Sequence, residues 1–209
     1  MNSRIARMAW ISAAGLLSLN HAQAEEADQA PTEPVIARPA IRPLLGAGLT
    51  FGGDTLATTF FTDGTRSDIK AGQLLQLYGG LEYRATPVLS VQATVGYHVD
   101  NSTASNGSVK FSRVPVELLG HFHASDKWQF GGGLRLVSGP KLSSSGAASS
   151  IGSVDFDNTI GTVIEGEYRT SSQLGFKLRY VSEKYEAKGT FSGVTVDGSH
   201  IGLMMNWYL

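Results

Sequence analysis

The chain has 209 residues, with 17 Lys and Arg against 18 Asp and Glu for a net charge of -1, and no cysteine. That balance lacks the basic footprint a nucleic-acid partner requires, and it excludes disulfides, thiolate catalysis and cysteine-held metals. The 25 glycines follow no collagen-like period, and prolines are sparse beyond residue 43, as suits a turn-rich β protein.

In chain order, the first element is an export signal. Arg4 and Arg7 precede the apolar run Met8–Leu19, and Ala22-Gln23-Ala24 is a small-residue cleavage pattern. A run of about a dozen apolar residues is too short to span a ~30 Å hydrocarbon core as a helix. Residues 1–24 therefore read as a signal peptide. Residues 25–42 carry Pro31, Pro34 and Pro39 among Glu25, Glu26, Asp28 and Glu33, with no periodicity, and read as a flexible segment facing the periplasm.

From Pro43 to Leu209 the sequence alternates. Eight segments place apolar residues two apart. They begin with Leu45, Ala47, Leu49 and Phe51, then Leu75, Leu77, Leu81 and Tyr83, then Leu89, Val91, Ala93, Val95 and Tyr97. Val114, Val116, Leu118 and Phe122 follow, then Trp128, Phe130, Leu134 and Leu136. Ile160, Ile164 and Tyr168 form the sixth set, and Leu174, Phe176, Leu178 and Tyr180 the seventh. The last is Ile201, Leu203, Met205, Trp207 and Leu209. Period-two alternation over ~10 residues is what a tilted membrane strand needs. Mean hydropathy is only -0.05, because a barrel hides its apolar residues by alternation.

The connections alternate between short and long. Ala85-Thr86-Pro87, Ser125-Asp126-Lys127 and Thr170-Ser171-Ser172 are tight, whereas 54–68, 99–108, 138–157 and 183–198 are long and polar. Short periplasmic turns with long external loops are the pattern of outer-membrane barrels. Tyr83, Phe122, Trp128, Tyr168 and Trp207 lie beside the short turns or the C-terminus, and Phe51, Tyr97 and Tyr180 beside the long loops. Two such groups match aromatic girdles at two membrane interfaces. The expected fold is all-β, an eight-stranded antiparallel up-and-down transmembrane β-barrel.

The opposite face of the strands is polar. Glu82, Arg84, Arg113, Glu117, His121, Arg135, Glu165, Glu167, Arg169, Lys177 and Arg179 are expected to form an ion-paired network in the lumen, spaced by inward Gly46, Gly48, Gly80, Gly131 and Gly133. An eight-stranded barrel is just wide enough for its side chains to fill, so a wide pore is not expected.

Motifs for chemistry are weaker. His121 and His123 share a face at a spacing a metal can use, and read as polar lumen or rim residues. Ser125 with His123 and Glu117 could suggest a hydrolase, but Ser125-Asp126-Lys127 reads as a turn, with no base-orienting group or oxyanion site specified. Asp54, Asp63, Asp68, Asp155 and Asp157 put carboxylates on the long loops without calcium-loop spacing. Gly131-Gly132-Gly133 opens no helix and is not a phosphate-binding loop. No catalytic, cofactor or metal site is expected.

The residues Gly52-Gly53-Asp54, Gly96-Tyr97, Phe111-Ser112-Arg113-Val114-Pro115-Val116-Glu117-Leu118-Leu119, Gly131-Gly132-Gly133-Leu134-Arg135 and the terminal stripe resemble the porin-like outer-membrane β-barrel domain family of Gram-negative bacteria. The resemblance covers 43–209. It implies an outer-membrane location, contact with outer-membrane lipid and lipopolysaccharide, and insertion by the barrel-assembly machinery through the C-terminal strand. That family usually ends in Phe, whereas this chain ends in Leu209. A monomer presenting external loops in a structural or surface-interaction role is the expectation. The alternatives are a narrow porin-like channel for small solutes and an outer-membrane lipid-modifying enzyme.

Overall fold

The computed structural model describes residues 41–60, 66–104, 107–146, 148–149 and 152–209. The signal segment, the leader up to residue 40 and Asp63 lie outside the described residues. The strands are β1 (Ile41–Gly52), β2 (Thr55–Phe60), β3 (Arg66–Lys70), β4 (Leu74–Arg84), β5 (Leu89–Ala104), β6 (Gly107–His123) and β7 (Trp128–Gly146). They continue with β8 (Val154–Asp155), β9 (Thr159–Arg169), β10 (Leu174–Ser182), β11 (Lys184–Glu186), β12 (Thr195–Asp197) and β13 (His200–Tyr208).

Eight of these make the wall: β1, β4, β5, β6, β7, β9, β10 and β13 pair in that order, all antiparallel, and β13 pairs back onto β1. The barrel is closed, so no wall strand presents a free edge along these ladders. Its first strand starts at Ile41, which pairs with Tyr83, and Arg42 pairs with Glu82. Ile41 and Arg42, ahead of the boundary expected at 43, are therefore part of the wall.

The pleat sorts the side chains. On β10 and β13, Leu178 and Leu203 are 57% and 58% exposed, whereas Arg179 and Met204 are 2% and 3% exposed. The exposed face is apolar and the enclosed face largely polar, the reverse of a water-soluble domain.

The three tight turns are built alike. The amides of Ala85 and Thr86 both donate to the Leu89 carbonyl, those of Ala124 and Ser125 to Trp128, and those of Thr170 and Ser171 to Leu174. In each, a hydroxyl accepts the amide three residues on: Thr86 from Leu89, Ser125 from Trp128 and Ser171 from Leu174, all at 3.0 Å. Short Ser and Thr side chains favour such turns because they satisfy backbone donors locally.

The other end differs from the loops expected there. Residues 99–104 belong to β5 and residues 107–108 to β6, and β7 runs to Gly146. The remaining long connections fold into the hairpins β2–β3 and β11–β12, and β8 adds to β7. These pieces enclose an apolar core of Ala57, Ile69, Ala71, Val109, Phe111, Val137, Leu142, Phe156, Tyr185 and Ala187. Phe111 sits edge-on to both Phe156 and Tyr185, at centroid distances of 5.6 Å, a favoured geometry for aromatic pairs. We call this unit the head. Register along β7 slips where Ser138 faces Val114 but Lys141 faces Ser112. Gly139 takes up the extra residue at φ 59°, and the bulge turns Leu142 inward to the head core.

Candidate functional site

The lumen holds five buried cations, Arg113, Arg135, Arg169, Lys177 and Arg179, and five buried glutamates, Glu82, Glu117, Glu165, Glu167 and Glu183. Their contacts form one unbroken line of alternating sign. From the turn end, Glu82 meets Arg169 at 2.7 Å, Arg169 meets Glu167 at 3.5 Å, and Glu167 meets Lys177 at 3.7 Å. Lys177 meets Glu165 at 2.5 Å, Glu165 meets Arg179 at 3.2 Å, and Arg179 meets Glu117 at 2.7 Å. Glu117 meets Arg135 at 2.7 Å, Arg135 meets Glu183 at 2.9 Å, and Glu183 meets Arg113 at 3.9 Å. Burying charge is tolerated only when each group is paired, and here every internal member has an opposite charge on both sides.

Neutral groups brace the ladder. Tyr208 and Asn206 donate to Glu167 at 2.7 and 2.8 Å. Gln129 accepts from Arg169 at 3.1 Å and donates to the Tyr208 hydroxyl at 3.2 Å. Glycines clear the way for the large groups. A Cβ at Gly202 would stand 3.1 Å from Cγ of Arg179, which faces it on β10.

The residues named from the sequence divide three ways. Glu82, Arg113, Glu117, Arg135, Glu165, Glu167, Arg169, Lys177 and Arg179 are on the ladder, and His121 is beside it, 2.8 Å from Glu165. Arg84 is not in the lumen interior; it sits at the turn-end rim, half-buried, and donates to the Pro87 carbonyl at 2.8 Å. It is the last residue of β4, so its side chain reaches the turn rather than the barrel axis. The tenth member, Glu183, is missed by the sequence pattern because it opens a stretch that reads as polar loop. The signal was the parity of β10: Lys177, Arg179 and Val181 face in, and Glu183 continues that series.

His121 and His123 do not converge. His123 pairs with the Ser90 hydroxyl at 2.8 Å, whereas His121 faces Glu165. Among the described residues no three His, Asp or Glu groups gather closely enough to hold a metal ion. Ser125 is used as a turn brace. The loop acids are individually engaged: Asp54 accepts from the Asp197 amide, Asp68 from Thr58, and Asp155 and Asp157 pair with Lys141 and Lys188.

At the loop end the ladder enters the head. The Glu183 carboxylate takes Arg135 on one oxygen and, on the other, the Tyr185 hydroxyl at 2.5 Å. Burial alone would push Glu183 up, but Arg135 and Arg113 beside it hold its carboxyl below the ordinary range. Burial pushes the Tyr185 phenol up, and Tyr185 stays neutral. Arg113 lies over the Phe111 ring at 4.9 Å, a cation–aromatic contact at the boundary of polar lumen and apolar head.

No family model matches the chain, and no curated protein matches it in sequence. Solved structures match it in fold. The attachment invasion locus protein Ail of Yersinia pestis, determined with the heparin analogue sucrose octasulfate, aligns with a TM-score of 0.51 at 10% identity, over 81% of this chain and 97% of that one. The chain has the fold of the small eight-stranded outer-membrane β-barrels. Neisserial surface protein A aligns with a TM-score of 0.49 at 11% identity, over 80% of this chain and 96% of that one. OprG of Pseudomonas aeruginosa aligns at 0.44 and 14% identity, over 81% and 96%.

The outer face of this outer-membrane-type barrel carries Tyr83, Phe122, Trp128 and Trp207 exposed at the turn end, with Tyr168 half-buried where it packs on Trp128 at 5.0 Å. Phe51, Tyr97 and Tyr180 are exposed toward the head. Between the two groups the exposed side chains are mostly aliphatic, among them Leu49, Leu134, Ile164, Leu178 and Leu203, with Phe130 and Phe176 on the side of the turn end.

Proposed function

We propose that this chain is an integral protein of a bacterial outer membrane whose filled barrel holds the head outside the cell for contacts at the surface or within the envelope. In this reading it is exported behind a cleaved signal peptide. The barrel-assembly machinery inserts it through β13 as a monomer. Outer-membrane lipid and lipopolysaccharide surround its apolar face, it uses no cofactor, and it performs no reaction of its own.

One observation carries the reading: the ladder fills the axis and the apolar core covers its outer end, where Arg113 and Arg135 are 0% exposed. A conducting barrel leaves its charged residues around an open passage. Here they meet across the lumen, which suits a rigid support for the head. The aliphatic band between two aromatic groups supports the membrane placement.

The test has two parts. The protein in isolated outer membranes is run unboiled and boiled, and a mobility shift in that fraction is expected of a folded barrel. The purified protein is then placed in planar bilayers, where no stepwise current is expected. Stepwise currents lost on neutralising Arg113 or Arg135 would replace this reading with a narrow channel. Altered lipid A or phospholipid mass spectra on overproduction would replace it with a lipid-modifying enzyme.

A further inference from the structure

The wall strands β5, β6 and β7 run on past the apolar band, and their outer face changes character as they do. Within the band, one row of that face is Val95, Val116 and Leu136, all exposed. Two residues nearer the head, Tyr97 and Val114 are still exposed. The next row is Val99, Ser112 and Lys141, and the one after it Asn101, Lys110 and Ser143. The side chains that alternate with these, Val109, Phe111 and Leu142, belong to the head core, so the pleat turns the polar rows outward. Asn101, Lys110 and Lys141 are exposed, and Ser112 and Ser143 are half-buried. One row further on, the Ser108 and Ser145 hydroxyls meet at 2.9 Å on the same face.

Charge on this face does not cancel. Lys141 is met by Asp155 at 3.2 Å. Lys110 has Asn101 and Ser143 as its cross-strand neighbours, with Lys141 on the diagonal. The surplus positive charge is thus set among amide and hydroxyl groups. An ammonium pairs with phosphate, and amides and hydroxyls exchange hydrogen bonds with sugar hydroxyls.

Height selects between lipid headgroups. Asn101 is four residues beyond Tyr97 on β5, about 13 Å along a strand that rises ~3.3 Å per residue. At a tilt of ~40° it stands about 10 Å above the Tyr97 ring. The polar zone of a phospholipid leaflet is only about 5–8 Å deep. A long lysine bends down to a phospholipid phosphate. The short side chains of Asn101 and Ser143 meet only a headgroup tall enough to stand beside them.

We propose that the outer face of β5, β6 and β7 at Asn101, Lys110, Ser112, Lys141 and Ser143 docks the phosphorylated saccharide headgroup of a lipopolysaccharide molecule. The inference rests on the outer-membrane reading above and adds to it a place and a set of contacts. The acyl chains of the same molecule run down the Val95, Val116 and Leu136 row beneath, so headgroup and tails lie against the same three strands.

The experiment uses the full mature chain refolded in phosphatidylcholine vesicles containing increasing mole fractions of lipopolysaccharide, with the urea midpoint as readout. A ligand that binds only the folded barrel raises that midpoint by mass action. Wild type is compared with Lys110→Glu, with the double variant Asn101→Ala/Ser143→Ala, and with Lys127→Glu, which changes an exposed lysine in a tight turn at the opposite end. Lys110→Glu should need about tenfold more lipopolysaccharide for the same rise, and the double variant several-fold more, while Lys127→Glu follows wild type. Phosphatidylglycerol in place of lipopolysaccharide supplies negative charge without the saccharide, and there the double variant should match wild type. An unchanged lipopolysaccharide dependence in Lys110→Glu or in the double variant would overturn the proposal, as would phosphatidylglycerol reproducing the whole pattern. A wild-type chain with no boiling-dependent mobility shift in any of these vesicles would overturn the outer-membrane reading and this proposal with it.

Discussion

The ring of Tyr78 lies across Gly46, its partner on the neighbouring strand, in the space a Cβ there would fill. Gly46 in turn pairs with Asn206, whose side-chain oxygen accepts the Tyr78 hydroxyl. One phenol thus bridges β4 and β13 over the top of β1, across the seam that closes the barrel. Gly46→Ala drives a methyl group into a ring pinned at its far end. Overpacking of this kind costs about 1–3 kcal/mol, so the urea midpoint of the variant in vesicles should fall. Tyr78→Phe, which frees the ring tip, should recover part of the loss when combined with Gly46→Ala.

Glu117 is shared by Arg135 and Arg179, at 2.7 Å from each. Glu117→Gln leaves two buried guanidiniums short of a carboxylate. Removing one partner of a buried ion pair costs about 3–5 kcal/mol. The variant should unfold at clearly lower urea, or fail to refold, whereas Lys141→Gln, which breaks a pair exposed on both sides, should change stability by less than about 1 kcal/mol.

Glu183 gives a pH dependence whose sign is fixed. Its folded pKa lies below the unfolded value, so its contribution is present above the unfolded carboxyl pKa, about 4.3, and is lost as pH falls through the folded value. Protection of the β11–β12 hairpin, taken as its exchange rate relative to the intrinsic amide rate at each pH, should therefore be flat from pH 7 to about 5 and fall below about pH 4. In Glu183→Gln the acid-induced loss should be smaller. An equal loss in both proteins would assign the acid effect elsewhere.

Leu74 is the one non-glycine residue with positive φ among the described residues. Such a backbone costs a side-chain-bearing residue about 1–3 kcal/mol. Leu74→Gly should raise stability by about 1 kcal/mol after the greater entropy of glycine in the unfolded chain is counted, and Leu74→Val should lower it. Thermal unfolding followed by the loss of unboiled gel mobility reads both.

The outer face offers a direct test of membrane placement. Leu178 lies midway along β10 and is paired with Leu203 on β13. Leu178→Arg should cost about 2–4 kcal/mol if that position is at the bilayer midplane. A variant as stable as wild type in vesicles would place the apolar face elsewhere.

The wall was legible from the sequence because one strong rule governs it. Each strand has one face against the lumen, so alternation alone sorts Leu178 from Arg179 and Leu118 from Glu117. The turns were legible because their hydroxyls act within three residues. The head was not. Val109, Phe111, Phe156 and Tyr185 stand in stretches whose neighbours are polar, and the core they share is assembled from segments far apart in sequence. Strand extensions and the loops that cover them look alike until their partners are known. The Gly139 bulge added a second obstacle. Inward positions are odd-numbered up to Val137 and even-numbered at Pro140 and Leu142, so a parity rule carried through the bulge assigns the wrong face. The ladder was half legible: its members could be named from their face, but the order of contacts follows from side-chain reach across the lumen.

The Tyr78–Asn206 bond joins residues 128 apart in the chain. Neither side of that bond can form it locally, and β1 has no second neighbour until β13 arrives. Seven strands can associate pairwise beforehand, each with the strand next to it in the wall, while the eighth has to find both edges of the unfinished sheet at once. Contacts between residues so far apart in sequence are the ones that slow folding. Assembly therefore has a defined final event, and until it occurs the charged line inside is open to water along one side.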